Sequence, residues 1–253
     1  MTLTLVQNAP RLNRTNLANA VALAETISGE SDIVIFPELS LNGYLLQDKV
    51  YEDAWRPDEL APLAEASRGC DIVAGAAIKE DGRTFNAALY FSGGTLLHMH
   101  RKLHLPNYGM FEEARYFFKG SRIEAFETAF GRSVMLVCED LWRAQTMADV
   151  AALKPEFVYV IANSPARGFE ADGLSIEGQW DALLKALAQL SNAYVAFVNR
   201  VGFEDGLGFW GGSRLITPRG SIEKRLPLFE EAVASVSPDY RLHDVEKWLA
   251  KID

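Results

Sequence analysis

The chain has 253 residues, 49% of them hydrophobic and 23% charged, enough apolar material for a sizeable core and a length that fits either one large α/β domain or two small ones. A formal net charge of −9 argues against a nucleic-acid partner, because phosphate binding needs clustered Lys and Arg; a small molecule fits better. No run reaches the roughly 18 apolar residues that cross a bilayer, the N-terminus lacks a secretory pattern, and two cysteines, Cys70 and Cys138, fit a reducing cytoplasm rather than a disulfide scaffold.

The first apolar run, residues 3–7, predicts a strand. A helix follows, with Leu17, Val21, Ala24 and Ile27 on one face and Asn13 or Thr15 as its cap. Further short runs rich in Val, Ile, Leu and Phe predict strands at 32–36, 72–78, 84–91, 96–101, 133–137, 157–161, 194–198 and 213–216, several of them buried on both faces. Trp180, Leu183, Leu184, Leu187 and Leu190 line the face of another helix. Glu80-Asp81-Gly82-Arg83 and Ser92-Gly93-Gly94 read as hairpin turns. The sheets are therefore expected to be mixed and packed on each other beneath outer helices. No Pro/Gly/Ser-rich linker, low-complexity run or internal repeat divides the chain, and residues 1–253 are expected to form a single domain.

Reactive residues fall just past three of these strands. The run from Asp32 to Pro37 ends in Glu38, that from Leu97 to Arg101 ends in Lys102, and that from Val134 to Val137 delivers Cys138 where a helical segment begins. In α/β sheets ligands bind beyond the carboxyl ends of strands, so side chains placed there can converge on one pocket. A thiol of ordinary pKa about 8.5 is mostly protonated at neutral pH and needs a base or a lowered pKa before it attacks a carbonyl. Glu38 is the candidate base. Lys102 and the Glu139 N–H suit the negative oxygen of a tetrahedral intermediate, and a helix start at Cys138 would favour its thiolate. Cys70 reads as a buried core residue. His98 and His100 share a strand face, but without a cluster at zinc spacing they read, like His104 and His243, as packing or surface residues, and no metal is expected. No glycine-rich nucleotide fingerprint follows a strand, and no cofactor is expected.

Together these segments resemble the nitrilase, or carbon–nitrogen hydrolase, superfamily, over most of the chain. Phe36-Pro37-Glu38-Leu39 is similar to its glutamate motif, Arg101-Lys102-Leu103-His104-Leu105-Pro106 to its lysine motif and Val137-Cys138-Glu139-Asp140 to its cysteine motif, in the family's order. The resemblance implies an α/β four-layer α-β-β-α sandwich with a Glu38-Lys102-Cys138 triad that hydrolyses a small linear amide through a thioester. It implies a second glutamate that positions the lysine: Glu113, within residues 111–117, with Glu112 as a surface neighbour. Ala162-Asn163-Ser164-Pro165 resembles the substrate-side loop, making Asn163 a binding candidate, and segments 198–202 and 210–213 resemble a late strand pair. Segments 101–111 and 138–142 are most similar to the glutaminase domain of glutamine-dependent NAD synthetases, where the residues matching Tyr108 and Phe111 line the pocket. Glu139 completes the binding candidates.

Two departures bear on function. Ser92-Gly93-Gly94-Thr95 lacks the Asp and Ser of the Ser-Gly-Gly-x-Asp-Ser loop in the synthetases' ATP-binding domain. The chain ends where the amidase would, so the expectation is a free-standing amidase or a glutaminase that passes ammonia to a separate partner enzyme, not a complete synthetase. Arg143-Ala144 stands where relatives often carry Pro soon after the Trp. A homodimer or higher homo-oligomer, paired through helices near the cysteine, is implied by the resemblance alone. The same triad serves a nitrilase or an N-carbamoyl amide hydrolase, and a non-catalytic binding subunit is the rival from another class.

Overall fold

The computed structural model describes residues 1–171 and 173–238, and its frame is a pair of six-stranded sheets. In chain order come β1 (Leu3–Gln7), α1 (Asn16–Ile27), β2 (Ile33–Ile35), α2 (Val50–Asp53), α3 (Ala61–Ala66), β3 (Asp71–Glu80), β4 (Arg83–Ser92), β5 (Thr95–Arg101) and α4 (Glu113–Tyr116). Next come β6 (Ala125–Thr128), β7 (Gly131–Val137), α5 (Ala144–Leu153), β8 (Phe157–Ala162), β9 (Phe169–Glu170), β10 (Gly173–Leu174) and α6 (Ser175–Ser191). The last are β11 (Tyr194–Asn199), β12 (Val201–Glu204), β13 (Leu207–Trp210), β14 (Arg214–Ile216), β15 (Ile222–Arg225) and β16 (Ala232–Val236). The first sheet is ordered β16-β1-β2-β3-β4-β5 and the second β15-β14-β11-β8-β7-β6. Each has a parallel centre, β1-β2-β3 or β7-β8-β11, flanked by antiparallel strands.

Alternation of side chains along the central strands builds the layers. Leu3, Leu5, Ile33, Ile35 and Val73 of the first sheet face Met135, Val137, Tyr159, Ala196 and Val198 of the second in one core. The alternate residues Val6, Val34, Ile72 and Ala74 turn outward against Ala20 and Ala24 of α1 and Leu63 of α3. On the other side Val134, Leu136, Val158 and Val160 pack against Val150 of α5 and Trp180, Leu184 and Leu187 of α6. The result is the expected four-layer α-β-β-α sandwich. Both faces of the central strands are covered, which is why they read as unbroken apolar runs.

The two predicted hairpin turns are present. Asp81 (φ 49°) with Gly82 (φ 72°), and Gly93 (φ 57°) with Gly94 (φ 89°), are left-handed at both central positions, which matches the twist of the flanking strands.

Other expectations are corrected. Neither Asn13 nor Thr15 caps α1, whose first turn receives no side-chain cap bond; Asn13 Oδ1 instead accepts from the Thr15 amide and hydroxyl. The buried face of α1 centres on Ala20 and Ala24, with Leu17, Val21 and Ile27 on its flanks. On α6, Leu190 is 64% exposed while Ala188 and Ser191 are buried. The chain after Cys138 forms a 3-10 turn over Cys138–Trp142, and α5 starts only at Ala144. His243 lies outside the described residues. Among those residues no helix is long and apolar enough to cross a membrane.

Gly75 carries the fold into the candidate site. A Cβ there would lie 2.3 Å from the Leu39 nitrogen and 2.6 Å from the Glu38 Cα, so the turn that presents Glu38 rests directly on the backbone of β3. Gly75→Ala is expected to destabilise the protein by about 1–3 kcal/mol, the range for overpacking, and a urea unfolding curve that coincides with wild type would contradict this contact.

Candidate active site

Three turns deliver the candidate residues to one place. β2 ends at Ile35, Phe36 and Pro37 carry the chain on to Glu38, and Leu39 takes φ 46°. β5 ends at Arg101, after which the Lys102 N–H bonds the Asn86 carbonyl and the Lys102 carbonyl accepts the Gly120 N–H, both at 2.8 Å. β7 ends at Val137, and Cys138 takes φ 46°. β7 and β8 are parallel neighbours in register at Val137 and Ile161, so the chain leaves both strands at the same end of the sheet, at Cys138 and at Asn163. The Asn163 N–H donates to Glu38 Oε2 at 2.6 Å, tying that end of the second sheet to the glutamate of the first.

Lys102 Nζ donates to Glu38 Oε1 and to Glu113 Oε1, each at 2.8 Å. Asn86 Nδ2 donates to the same Glu38 oxygen at 2.7 Å, and the Tyr44 hydroxyl donates to Glu113 Oε1 at 2.8 Å. An ionised carboxylate offers about four acceptor positions; three on Glu38 are filled, which leaves room for a proton. Glu38 and Lys102 are fully buried, whereas Cys138 as a residue keeps partial exposure.

Charge balance sets the protonation states. Burial works to lower the Lys102 ammonium, but Glu113 and Glu38 outweigh it and hold Lys102 protonated well above the usual lysine range. Burial raises the Glu113 carboxyl, with Lys102 opposing and Glu38 adding to the rise. The Cys138 thiol is pushed well above its usual value, first by burial and then by the Glu38 carboxylate, against the pull of Lys102. The expected support of a thiolate by a helix start is overridden, because burial disfavours the charged sulfur and the Glu38 carboxylate repels it.

A non-glycine residue at positive φ costs about 1–3 kcal/mol, and Asp140 holds the Cys138 turn in that state. Its Oδ2 accepts the Val137 N–H at 3.1 Å and lies 2.9 Å from His100 Nε2, while its Oδ1 accepts the Leu103 and His104 N–H groups, each at 2.9 Å. One buried carboxylate thus joins the cysteine turn to the lysine loop. Burial works to raise this acid, but the hydrogen bond and charge of His100, the His104 N–H and Lys102 bring it below the usual aspartate range. His100 therefore has a task beyond packing. His98 stacks on Phe126 with ring centroids 4.4 Å apart.

The binding candidates surround this centre. Tyr108 donates from its hydroxyl to Glu139 Oε2 at 2.9 Å, and Arg143 Nη2 pairs with Glu139 Oε1 at 3.0 Å. Phe111 packs edge-on against both Tyr108 and Tyr44. The buried Asn163 carboxamide has no partner for its oxygen or its nitrogen among the described residues, a state that costs about 1–3 kcal/mol per group. The Glu139 N–H lies in the first turn of the 3-10 segment, where leading N–H groups have no acceptor within the helix.

Four contributors escape sequence reasoning. Asp140 closes the cysteine motif without a role being read for it, and Tyr44 lies just past the glutamate motif, its only signal. Asn86 sits mid-strand in β4 and Glu204 ends β12, with nothing local to mark them. Glu204 Oε1 accepts the Tyr44 and Leu45 N–H groups at 2.8 and 2.6 Å while its Oε2 takes Arg200 Nη1 at 2.9 Å, and so anchors the loop that carries Tyr44 to Glu113.

A four-layer sandwich with Glu, Lys and Cys at three strand ends is the architecture of a nitrilase-like enzyme. Residues 2–248 match the carbon-nitrogen hydrolase family, and the chain belongs to it. It is 33% identical over 240 residues to the glutamine-dependent NAD(+) synthetase of Xylella fastidiosa, a match covering 90% of this chain and 40% of that protein. The structure of the glutamine-dependent NAD+ synthetase from Acinetobacter baumannii aligns with a TM-score of 0.84 at 29% identity, over 96% of this chain and 46% of that one. An amidase from Nesterenkonia sp. shares the fold, with a TM-score of 0.79 at 24% identity over 98% and 96% of the two chains. The chain spans about two fifths of the length of the synthetases it matches.

Asp140→Asn is expected to lower stability at neutral pH by about 1–3 kcal/mol, since Asn cannot accept from every donor that Asp140 serves. Folded Asp140 titrates below its unfolded counterpart, so its contribution is complete above the ordinary aspartate range and fades as pH falls through the folded value. The gap between wild type and variant in urea midpoint should be widest near neutral pH and narrow in strong acid; a gap unaffected by pH would count against this role.

Proposed function

We propose that the protein hydrolyses a small linear amide, releasing ammonia or an amine, through a thioester on Cys138. The observation that carries this reading is the Lys102 ammonium buried between Glu38 and Glu113, beside a thiol held in its protonated form. As Sγ attacks the amide carbon, Glu38 takes the thiol proton and the carbonyl electron pair moves to oxygen, where Lys102 and the Glu139 N–H stabilise it. Collapse restores the carbonyl and breaks the C–N bond, and Glu38 passes its proton to the departing nitrogen. Glu38 then removes a proton from water as it attacks the thioester, which regenerates the thiol. Glu113 keeps Lys102 charged and in place. Tyr108, Phe111, Glu139 and Asn163 line the approach to the sulfur. The likeness to glutamine-dependent synthetases supports a glutamine-like amide, with ammonia passing to a separate enzyme as the extension of this proposal.

Cys138→Ala is expected to fold as wild type does and to release no ammonia from glutamine, asparagine or short aliphatic amides; continued turnover by the variant would refute the assignment, while release by the wild type from nitriles or N-carbamoyl compounds and not from amides would favour those substrates. Glu38→Gln should lose roughly 10²–10⁴-fold in kcat, the usual range for a general base. The same variant should shift Cys138 alkylation to lower pH, because the carboxylate that raises the thiol is gone. An alkylation midpoint that stays put or rises would show that Glu38 does not act on the sulfur.

A further inference from the structure

We infer that His100 is a positioning residue for Cys138, acting through Asp140 on the left-handed turn that presents the sulfur. This rests on the amide-hydrolase reading and deepens it. β5 is the edge strand of the first sheet, and of its seven residues, all among those described, His100 alone is buried. It is 2% exposed and lies two residues before Lys102. An apolar side chain would fill that place without taking a polar ring out of water, a step that costs free energy unless a hydrogen bond offsets it. Packing alone does not account for a histidine there.

The offsetting bond goes to Asp140. Against the upward push of burial, the His100 hydrogen bond helps hold Asp140 below the usual aspartate range, so the group is a carboxylate at neutral pH and His100 Nε2 donates the hydrogen. A carboxylate offers about four acceptor positions, and donors among the described residues fill those of Asp140. Oδ1 takes the Leu103 and His104 N–H groups at 2.9 Å each, while Oδ2 takes the Val137 N–H at 3.1 Å and His100 Nε2 at 2.9 Å. The two oxygens are not equivalent in what they hold. Without His100, Oδ1 keeps both bonds to the lysine loop, whereas Oδ2 keeps only the longest of the set, to Val137. Val137 immediately precedes Cys138, whose φ of 46° is unfavourable for a residue with a Cβ. The cysteine turn is therefore the joint that loosens, while Lys102 stays paired with Glu38 and Glu113.

A sulfur that drifts loses rate in the chemical step, where a displacement of about 1 Å can cost on the order of 10²-fold. It also leaves the burial and the Glu38 carboxylate that raise the thiol. A positioning role thus has two signatures: a fall in kcat at constant KM, and a fall in the pH at which the thiol alkylates.

The test compares wild type with His100→Leu, which removes the donor, and His100→Gln, whose side-chain amide returns one, after circular dichroism and thermal melts establish which variants fold. Two quantities are measured on folded protein. One is ammonia release from glutamine, asparagine and butyramide; the other is the pH dependence of iodoacetamide capture of Cys138, read by peptide mapping, which needs no turnover. His100→Leu should lose about 10–100-fold in kcat with KM within about twofold of wild type and should alkylate at lower pH, and His100→Gln should recover most of both. A His100→Leu protein that keeps wild-type kcat or the wild-type alkylation midpoint, whatever its melting temperature, overturns the positioning role and leaves the amide reaction standing; so does a His100→Gln protein that recovers neither. If His100→Leu does not fold, His100→Asn, whose amide stops short of the Nε2 position, takes its place, and an alkylation midpoint matching that of His100→Gln overturns the role. A midpoint that falls in His100→Leu and returns in His100→Gln, with no ammonia released even by wild type, supports the role and removes the hydrolase reading. Neither release nor shift overturns both.

Discussion

The Lys102 ammonium, buried between two carboxylates, is the constraint around which the rest of the site is arranged. Removing an ion from water costs several kcal/mol, and that cost is offset only when partners sit in good geometry. The partners come from separate parts of the chain: Glu38 follows β2, Glu113 begins α4, and Lys102 itself follows β5. Burial, and after it the Glu38 carboxylate, hold the neighbouring thiol protonated against the pull of Lys102. On the proposed reaction the thiol would be activated only as it attacks, with its proton going to Glu38.

The sandwich supplies rigidity where this balance needs it. Leu39 and Cys138 both adopt left-handed backbone at φ 46°, one in each sheet's turn, and each is braced from outside its own segment. Gly75 leaves space for the Glu38 turn against β3, while Asp140 fastens the Cys138 turn to the lysine loop through three backbone N–H groups. The Glu204 and Arg200 pair, both buried, extends the bracing to Tyr44 and so to Glu113. Strain in the two turns is sustained because packed elements and buried hydrogen bonds leave little room to relax.

Much of this is legible in the sequence, for an identifiable reason. The central strands are buried on both faces, so their apolar runs stand out without periodicity; Glu38 and Cys138 follow two of them, while Lys102 follows the edge strand β5. Among the strands that escape notice, β6, β15 and β16 lie at sheet edges and consist mostly of exposed and half-buried residues, and β9 and β10 are two-residue strands paired only with each other. Leu190 follows the helical period yet faces outward, because period alone does not fix where a buried face stops. Asn86 and Glu204 act only through partners distant in the chain, which no local pattern reports. Asn163 was reachable through resemblance to a family loop, but its empty hydrogen-bonding positions exist only in three dimensions.

The most direct test of the account is rapid-quench intact mass spectrometry during the first turnover of an amide substrate, with peptide mapping of any adduct. The account predicts a burst of ammonia matched by an added mass equal to the substrate less ammonia, on the peptide containing Cys138 and labile to hydroxylamine. An ammonia burst without a matching adduct, or an adduct on Cys70, would contradict it.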